Sequence, residues 1–544
     1  MHRQGKLAQA AELYHAILET DANHFDALHL LGVLLGQQGL QQEAARLIGE
    51  ALKRNPNSAE AHNNLGNILA GAARHEEALA CFRKAVSIRP DYAEAFYNLA
   101  SSLSALDRHE DAIAGLRQAL AIAPAYPEAH NNLGLALAAL GRYTEAIASH
   151  QHALAIRPNF AQAHNNLGTA LHALGRYDEA IASYQTALLC EPNYAKAHNN
   201  LAYALAALNR YDDALASYGR ALAIDPGYAQ VHWNESLARL ATGDFATGWE
   251  KYEWRWRCRD FTSPRRNFSQ PLWRGREKTA GKTILLHAEQ GFGDTLQFVR
   301  YAPLVAATGA RVVLEVQAPL TSLMHDLAGV EVVVARGDPL PPFDFHCPLL
   351  SLPLALGTTL RSVPAEVPYL RPPPAKTFHW RESLAQRDHA RIGLVWSGRK
   401  THKNDRNRSI ALARLQPLLS IPGITFVSLQ KEIRQEDAEA LGRFPQIIHV
   451  GDQLEDFSDT AAVAATLDLV ISADTAVAHL AGALAKPTWV LLPFSPDWRW
   501  LLNREDSPWY PTMRLFRQPR LGDWDSVIER VKAELSRFIE LGCT

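Results

Sequence analysis

Three short segments in the second half of the chain carry the residues most suited to chemistry. HAEQGFGD ends at Asp294, which begins a predicted helix, where a carboxylate can also serve only as an N-cap. WSGRKTHKNDRNRSI is rich in cations, which suit a diphosphate, the alternative being a solvated loop. SADTAVAHLAGALAKP contains Asp474 and, about one helical turn further on, His479. Thr475 and Ala476 begin this second helix, whose free N–H groups favour an anion.

Alternating strands and helices position these segments. After residue 281, the β-branched runs TILLHA, RVVLEV, VEVVVA, RIGLVWSG, ITFVSLQ, QIIHVG, LDLVISA and PTWVLLP alternate with helical stretches, which predicts parallel sheets. The proline-rich stretch at 367–376 divides these strands into two groups. We predict two Rossmann-like lobes, at 282–375 and 376–544, with a ligand cleft at the carboxyl ends of the strands.

The first half of the chain repeats itself every 34 residues. One unit, at 161–194, reads AQAHNNLGTALHALGRYDEAIASYQTALLCEPNY, and full units begin at Phe25, Ala59, Ala93, Pro127, Ala161, Ala195 and Ala229. Leu167, Gly168, Ala180, Tyr184 and Pro192 occupy the signature positions of the tetratricopeptide repeat (TPR), which this unit resembles. We predict an α-α superhelix with a concave groove over 1–243. Because the chain begins like the middle of a repeat, we expect the natural start to lie upstream.

One column of the repeat predicts what the groove holds. The sixth position is asparagine in six consecutive units: Asn64, Asn98, Asn132, Asn166, Asn200 and Asn234. An amide offers both a donor and an acceptor, so this ladder could bind the backbone of an extended peptide. The alternative is hydrogen bonding between repeats. The histidines of the fourth position (His62, His130, His164, His198 and His232) are interpreted as space-fillers.

The junction at 244–281 is aromatic and basic. Trp249, Trp254, Trp256 and Trp273 alternate there with lysines and arginines, a combination that can bind single-stranded nucleic acid. Because the segment lies between two predicted domains, we favour a capping helix and a linker whose tryptophans pack the repeats onto the first Rossmann-like lobe.

Composition restricts the classes of function. The 544 residues carry a net charge of −2, which predicts neither a nucleic-acid partner nor a membrane partner. Five cysteines are widely spaced, so neither a disulfide framework nor a zinc site is predicted. No apolar run approaches the roughly 20 residues that span a bilayer. We expect a cytoplasmic protein.

The motifs at 291–294 and 472–487 together resemble the heptosyltransferase family of GT-B glycosyltransferases, over about 281–540 of the chain. The resemblance implies inverting sugar transfer from a nucleotide sugar, with Asp294 as base and His287 as a rival. Lys403, Arg408, Thr475 and Ala476 would stabilise the leaving diphosphate, Asp474 and His479 would contact the sugar or orient the loop, and Gln430 would contact the nucleotide base. Ala476 replaces the usual glycine of this family, so the sugar need not be heptose.

The repeats resemble those of protein O-GlcNAc transferases, whose asparagine ladder holds the acceptor polypeptide. This resemblance implies a protein glycosyltransferase that needs no metal and no cofactor beyond its nucleotide-sugar co-substrate. Two alternatives remain: an enzyme that acts on lipopolysaccharide or another glycan, and a TPR scaffold with inactive lobes.

Overall fold

The computed structural model describes residues 7–384, 389–402 and 404–540. The chain forms two compact units, one ending at Ala204 and the other beginning at Leu205. This division lies before residue 243, where the repeat pattern ends, because the last repeats belong to the same unit as the α/β half. There Asn209 donates to the carbonyl of Phe494 at 2.8 Å, and Ser495 donates to the carbonyl of Ala206 at 3.3 Å. Among the described residues, no helix combines the length and apolarity that crossing a bilayer requires.

Within the described part of the repeat half, fourteen helices, α1 to α14, are followed by a shorter one, α15. They are α1 (Leu7–Thr20), α2 (Phe25–Gln37), α3 (Gln41–Arg54), α4 (Ala59–Gly71), α5 (His75–Ile88), α6 (Ala93–Ala105), α7 (His109–Ile122), α8 (Pro127–Ala139), α9 (Tyr143–Ile156), α10 (Ala161–Ala173), α11 (Tyr177–Cys190), α12 (Ala195–Ala207), α13 (Tyr211–Ile224), α14 (Ala229–Ala241) and α15 (Phe245–Tyr252). The helix pairs recur with the 34-residue period of the sequence, as predicted.

Glycine at the eighth position lets the two helices of a repeat touch. A Cβ on Gly66 would lie 2.5 Å from the ring of Phe82, and one on Gly168 would lie 2.6 Å from the ring of Tyr184. Phe82 and Tyr184 are buried, so neither ring could yield to a larger neighbour. This contact explains why a glycine and a bulky residue sixteen positions later recur together.

The histidines of the fourth position do more than fill space. Nε2 of each lies 2.9 to 3.1 Å from the carbonyl oxygen of the proline six residues earlier, in the pairs His62–Pro56, His130–Pro124, His164–Pro158, His198–Pro192 and His232–Pro226. Because a carbonyl only accepts, Nε2 carries the proton in each pair. The histidine therefore fastens the start of one repeat to the turn that ends the previous one.

The second half of the chain, in its described residues, contains two parallel sheets with helices between their strands. The first sheet, in the order β3-β2-β1-β4, contains β1 (Thr283–His287), β2 (Arg311–Val316), β3 (Val332–Ala335) and β4 (Phe345–Pro348). The second, in the order β10-β9-β8-β5-β6-β7, contains β5 (Ala390–Val395), β6 (Ile424–Ser428), β7 (Ile447–His449), β8 (Leu469–Ala473), β9 (Thr488–Leu492) and β10 (Met513–Arg517). Strands β1, β8 and β9 are buried along their whole length, as expected of central strands in parallel sheets.

Eleven helices accompany the sheets in the part of this half that the structure describes. They are α16 (Phe292–Phe298), α17 (Ala302–Ala306), α18 (Thr321–Met324), α19 (Leu352–Ala355), α20 (Pro374–Ser383), α21 (Asp405–Arg408), α22 (Gln416–Leu419), α23 (Gln435–Gly442), α24 (Phe457–Ala465), α25 (Ala476–Ala483) and α26 (Trp524–Glu540). Helix α16 follows β1 and helix α25 follows β8, so both begin at the carboxyl ends of central strands. This half of the chain is an α/β structure.

Tryptophans of the junction pack against both the repeats and the α/β half. Trp249 of α15 makes edge-to-face contacts with Phe298 at 6.3 Å and with Trp498 at 5.2 Å between ring centroids. Trp254 stacks on His232 at 3.9 Å. Trp249 and Trp273 are each 2% exposed. The aromatic residues of this junction therefore mainly pack against other residues of the compact unit that begins at Leu205.

His150 in α9 is a buried polar residue of the repeat core. It occupies the position that Phe82 fills two repeats earlier, and both side chains are fully buried. Neither ring nitrogen of His150 has a hydrogen-bond partner among the described residues. Burial lowers the pKa of His150 to about 4. The core therefore contains a polar ring whose hydrogen-bonding capacity is not used.

We expect His150→Phe to stabilise the repeat half by about 1–3 kcal/mol at pH 7, because it removes two unsatisfied buried polar atoms. Between about pH 6.5 and pH 4 the unfolded wild-type chain binds a proton that the folded chain does not. Wild-type stability falls as the pH falls through this window, so the advantage of the variant grows there by up to about 3 kcal/mol. Urea unfolding followed by circular dichroism at pH 7 and pH 5 measures both effects.

His152→Phe is the matched control, since His152 lies exposed in the same helix. This substitution should change stability by no more than about 0.5 kcal/mol. A His150→Phe variant no more stable than the wild type would contradict the assignment of His150 as a destabilising core residue.

Candidate functional site

Asp294 lies in the first turn of α16, directly beyond the end of β1. Its Oδ2 accepts a hydrogen bond from the backbone N–H of Gly291 at 2.8 Å, which caps the helix. Asp294 therefore does cap the helix, as the sequence allows, but only one of its carboxylate oxygens takes part. The side chain of Asp294 is 18% exposed, so it remains partly accessible to solvent.

The two motifs that the sequence singles out lie together in space. A Cβ on Gly293 would lie 3.0 Å from Cδ2 of His479 and 3.5 Å from Cα of Ala476. Helix α16 therefore packs closely on the beginning of α25, and a side chain at 293 would crowd His479. Gly293 serves this packing of α16 on α25, which explains a G-x-G pattern that lacks the third glycine of a dinucleotide site.

Arg499 joins α16 to the segment that follows β9. Its Nη2 forms an ion pair with Oδ1 of Asp294, and its Nη1 pairs with Oδ1 of Asp497 at 2.9 Å. Its Nε donates to Oε1 of Gln297 at 2.6 Å. The side chain of Arg499 is only 9% exposed. A buried cation thus lies between a carboxylate of the first lobe and one of the second.

Burial and neighbouring charges raise the pKa values of the acids in this site. Burial raises the pKa of Asp294, although Arg499 opposes that rise. Burial, and then the charge of Asp497, raises the pKa of Asp474 to about 6, against the opposing influence of Arg408. Perturbed acids in a cleft are typical of functional sites, although ion-pair networks produce them too.

His479 is held neutral by its surroundings. Burial, and then Arg499, lowers its pKa well below the usual value. Its Nδ1 lies 3.0 Å from the hydroxyl of Tyr510, and its ring stacks on Trp500 at 5.3 Å between centroids. These contacts fix the orientation of the imidazole next to the start of α25.

Arg408 lies at the carboxyl ends of the second sheet. Its Nη1 donates to the carbonyl oxygen of Asp474 at 3.0 Å. A Cβ on Gly398 would lie 2.5 Å from Nη2 of Arg408, so the glycine of the W-S-G segment makes room for the guanidinium. The buried Nε of Arg408 has no hydrogen-bond partner within the described ranges. Lys403, predicted for the same role, lies outside the described residues.

The remaining candidates of the second lobe differ in their surroundings. Thr475 is the N-cap residue of α25 and Ala476 its first residue, and Thr475 Oγ1 lies 3.2 Å from Ser472 Oγ. Gln430 is internal: its Oε1 accepts from the backbone N–H groups of Trp396 at 3.3 Å and Ser397 at 3.2 Å, and its Nε2 donates to the carbonyl of Ser397 at 3.0 Å. Its amide bridges two strand ends, and its contact with a nucleotide base stays a prediction.

His287, the rival base, is 2% exposed at the end of β1. Its Nε2 lies 3.2 Å from Nδ1 of His346. Burial, and then the neighbouring His346, lowers the pKa of His287 to about 3. The ring is therefore neutral at physiological pH, and it is far less exposed than the carboxylate of Asp294.

The asparagine column makes hydrogen bonds between repeats. Nδ2 of Asn98, Asn166 and Asn200 donates to Oδ1 of the fifth-position asparagine of the preceding repeat, at 2.9 to 3.0 Å (Asn63, Asn131 and Asn165). Asn132 donates instead to Ser101 Oγ at 3.4 Å, and Asn64 contacts His29 Nε2 at 2.9 Å. Asn234 accepts from Gln230 at 2.9 Å. Contact of this column with a peptide stays a prediction.

Comparison with known families agrees with this architecture in the first half of the chain. Models described as "TPR repeat" match residues 135–175 and 168–209, and others described as "Tetratricopeptide repeat" match 3–48, 57–125 and 195–228. The N-terminal half is a TPR array. The match between these ranges and the helix pairs α1 to α14 confirms the predicted repeats.

This chain is also similar to a curated protein over a stretch much longer than one repeat. Protein FlbA of Caulobacter vibrioides is 30% identical over 322 residues, an alignment that covers 55% of this chain and 54% of that protein. The chain therefore matches about half the length of this relative.

Solved structures similar to this chain include other TPR proteins. YrrB, titled a TPR protein with an unusual peptide-binding site, is 24% identical over 34% of this chain and 96% of its own, with a TM-score of 0.30. MamA is 30% identical over 30% of this chain and 97% of its own, with a TM-score of 0.29. A thermophilic TPR protein of Thermus thermophilus, TTC0263, is 27% identical over 34% of this chain and 100% of its own, with a TM-score of 0.30.

Sequence reasoning missed Arg499 and Asp497. Both lie in the stretch SPDWRWLL after β9, whose tryptophans are interpreted from the sequence as a wall of the cleft or a crossover to the first lobe, with core packing as the alternative. A signal was present, because an Asp and an Arg stand two residues apart directly beyond a buried strand, where parallel sheets place their ligands.

We expect Gly293→Ala to destabilise the α/β unit by about 1–3 kcal/mol, because the new Cβ would press on His479, which Trp500 and Tyr510 hold in place. Gly219→Ala in α13 is the matched control: its Cβ would meet no atom within 4 Å, and it should gain up to about 1 kcal/mol. Thermal unfolding of the full chain compares the two. Equal melting temperatures for both variants would contradict a tight helix crossing.

Proposed function

We propose that this chain is an inverting, metal-independent glycosyltransferase of GT-B architecture, which moves a sugar from a nucleotide-sugar donor to a polypeptide held by the TPR groove. The supporting observation is the contact between Asp294 and Arg499 at the crossing of α16 and α25. This contact holds a partly exposed carboxylate beside an arginine that follows β9. Sugar transfer from a nucleotide diphosphate needs such a base close to cations that can bind the donor.

The second lobe would bind the donor. The guanidinium of Arg408 donates to the carbonyl of Asp474, which lies two residues before α25, and no side chain caps the backbone N–H groups that begin this helix. Together with Arg499, these donors would bind the diphosphate and stabilise the negative charge that it gains as it leaves. Lys403 would add a further cation. Asp474 and His479, fixed by Arg408 and Tyr510, would contact sugar hydroxyls or orient this loop.

Asp294 would act as the base. It would accept the proton of the acceptor hydroxyl while that oxygen attacks the anomeric carbon and the bond to the diphosphate breaks. One Asp294 oxygen is engaged by Gly291 and the other by Arg499, which fixes the carboxylate and favours its ionised form against the effect of burial. Arg499 would then serve both partners of the reaction, since it lies between the base and the leaving group.

The asparagine column would bind the acceptor backbone through the lone pairs and edges that its ladder leaves uncovered. Asn166 is 9% exposed, whereas the other five are half-buried. An enzyme for lipopolysaccharide or another glycan would use the same donor site, with the repeats serving assembly only. A scaffold with inactive lobes would need neither an accessible Asp294 nor an unpartnered Arg408 N–H group.

Donor binding is tested with a panel of UDP-, GDP-, dTDP- and ADP-linked sugars, by thermal shift and by donor hydrolysis. We expect at least one donor to stabilise the full chain, by about 2.7 kcal/mol at a hundredfold excess over its Kd. Arg408→Gln should weaken that stabilisation, because it removes the charge from the diphosphate site. If no donor shifts the melting temperature or is hydrolysed, the scaffold alternative is correct.

Asp294→Asn is expected to lower kcat by about 10²–10⁴-fold, because asparagine cannot accept the proton. The donor-induced thermal shift should be retained, since the donor contacts lie in the second lobe. Asp326→Asn, at a fully exposed aspartate of the first lobe, is the control and should leave kcat unchanged. An Asp294→Asn variant within twofold of the wild type would show that another group is the base.

The acceptor proposal is tested by replacing Asn132, Asn166 and Asn200 with alanine in one variant. The matched control replaces their fifth-position neighbours Asn131 and Asn165, which removes ladder bonds while leaving the sixth column in place. We expect the first variant to lose transfer to protein by about tenfold or more, for the loss of two or three hydrogen bonds, and the control to lose less, because it keeps the amides of the sixth column. Equal losses, or none in a folded protein, would assign the column to packing between repeats.

A further inference from the structure

The end of the repeat array reaches the turn that carries Asp294. Helix α15 ends at Tyr252 and continues as a single 3-10 turn, Glu253–Arg257. Arg255 of this turn is fully buried, and its Nη2 lies 3.0 Å from both carboxylate oxygens of Glu289. Glu289 follows the end of β1 by two residues and precedes the glycine turn by two.

Arg255 is buried among groups that satisfy most of its donors. Its Nη1 donates to Oε1 of Glu253 at 2.7 Å and to the carbonyl of Tyr252 at 3.1 Å, and its Nη2 also donates to Ser351 at 2.8 Å. Burial raises the pKa of Glu289 to about 7, although Arg255 opposes that rise. A buried charge persists only with such partners, so the contact fixes the distance between the 3-10 turn and Glu289.

Tyr252 makes a second connection to the same turn. Its hydroxyl accepts from Nε2 of Gln290 at 2.9 Å. The carbonyl of Gln290 accepts from Nε2 of Gln317 at 2.9 Å, and Oε1 of Gln317 accepts from Oγ1 of Thr295 at 2.9 Å. These bonds hold residues on both sides of Asp294: Gln290 in the turn before α16, and Thr295 directly after Asp294.

We propose that Tyr252 and Arg255, from the cap of the repeat array, are positioning residues of the catalytic site, which fix the turn at 289–291 and through it the carboxylate of Asp294. The inference rests on the proposed function. Asp294 accepts from Gly291 of that turn, so a displacement of the turn displaces the base. A displacement of about 1 Å can lower a rate about a hundredfold.

Two substitutions test this inference in the full chain, with the donor of the panel that gives the largest thermal shift. Glu289→Gln removes the charge that Arg255 holds, and Tyr252→Phe removes one hydroxyl. We expect Glu289→Gln to lower the kcat of sugar transfer about 10- to 100-fold and Tyr252→Phe to lower it several-fold. Both remove contacts that fix the turn at 289–291. The KM for donor and the donor-induced thermal shift should stay within twofold of the wild type, because the donor contacts lie in the second lobe.

Each variant has a control with the same chemistry elsewhere in the first lobe. Glu315→Gln removes the charge from a buried glutamate that Arg266 contacts at 2.7 and 3.1 Å, and Tyr301→Phe removes a buried hydroxyl 3.0 Å from Thr358 Oγ1. Both should leave kcat within twofold. Tyr252→Phe keeps the test decisive if Glu289→Gln does not fold.

The outcomes separate this inference from the proposed function. A wild-type chain that neither binds nor transfers from any donor overturns the proposed function and this inference with it. An active wild type in which Tyr252→Phe and Glu289→Gln match their controls overturns the inference alone. A loss of kcat confined to these two variants, at constant donor KM, supports it, since general destabilisation would affect the controls as well.

Discussion

The ion pair between Arg499 and Asp294 is the interaction on which the candidate site depends. Its two residues are 205 positions apart in the sequence and belong to different lobes. A buried guanidinium without partners is destabilised by several kcal/mol, so Asp294, Asp497 and Gln297 must all remain near it. Each lobe therefore constrains where the other places its polar groups. The glycine at 293 favours this arrangement, because a Cβ there would lie 3.0 Å from Cδ2 of His479 at the crossing of α16 and α25.

The same constraint links the repeat array to the α/β half through the residues after α14. Trp249 packs against Trp498, one residue before Arg499, and Arg255 binds Glu289, five residues before Asp294. Both partners of the central ion pair thus have neighbours that contact the cap of the repeats. The final repeats contact the α/β half as well, through Asn209 with Phe494 and Ser495 with Ala206, and they belong to the same compact unit.

The sequence is most informative where a pattern repeats or where a strand is buried along its length. The 34-residue period predicts the helix pairs, since Gly168 and Tyr184 recur with their contact, and the β-branched runs predict the parallel strands. Asp294, Asp474 and His479 stand out in the sequence because each lies at a strand end next to small residues. Their convergence follows from the strand order, which no local pattern encodes.

Other features could not be predicted, for physical reasons. Arg499 and Arg255 are buried cations, and a sequence distinguishes them from exposed arginines only when their carboxylate partners, 205 and 34 residues away, are known. The histidines of the fourth position are expected from the sequence to fill space, yet each donates to a proline carbonyl. That bond depends on the geometry of the turn between repeats, which the hydrophobic period does not specify.

The sixth-position asparagines can pack between repeats and bind a peptide at the same time. A donor amide satisfied by the preceding repeat still presents an oxygen, and in Asn166 and Asn200 that oxygen accepts from the neighbouring asparagine, Asn165 or Asn199, at 3.2 to 3.3 Å. Carbonyl-type oxygens have two lone pairs, so one remains on each for an incoming backbone N–H group. The ladder fixes the orientation of each amide before a peptide arrives, which reduces the side-chain entropy lost on binding. Packing between repeats and peptide recognition are therefore compatible, and the first would strengthen the second.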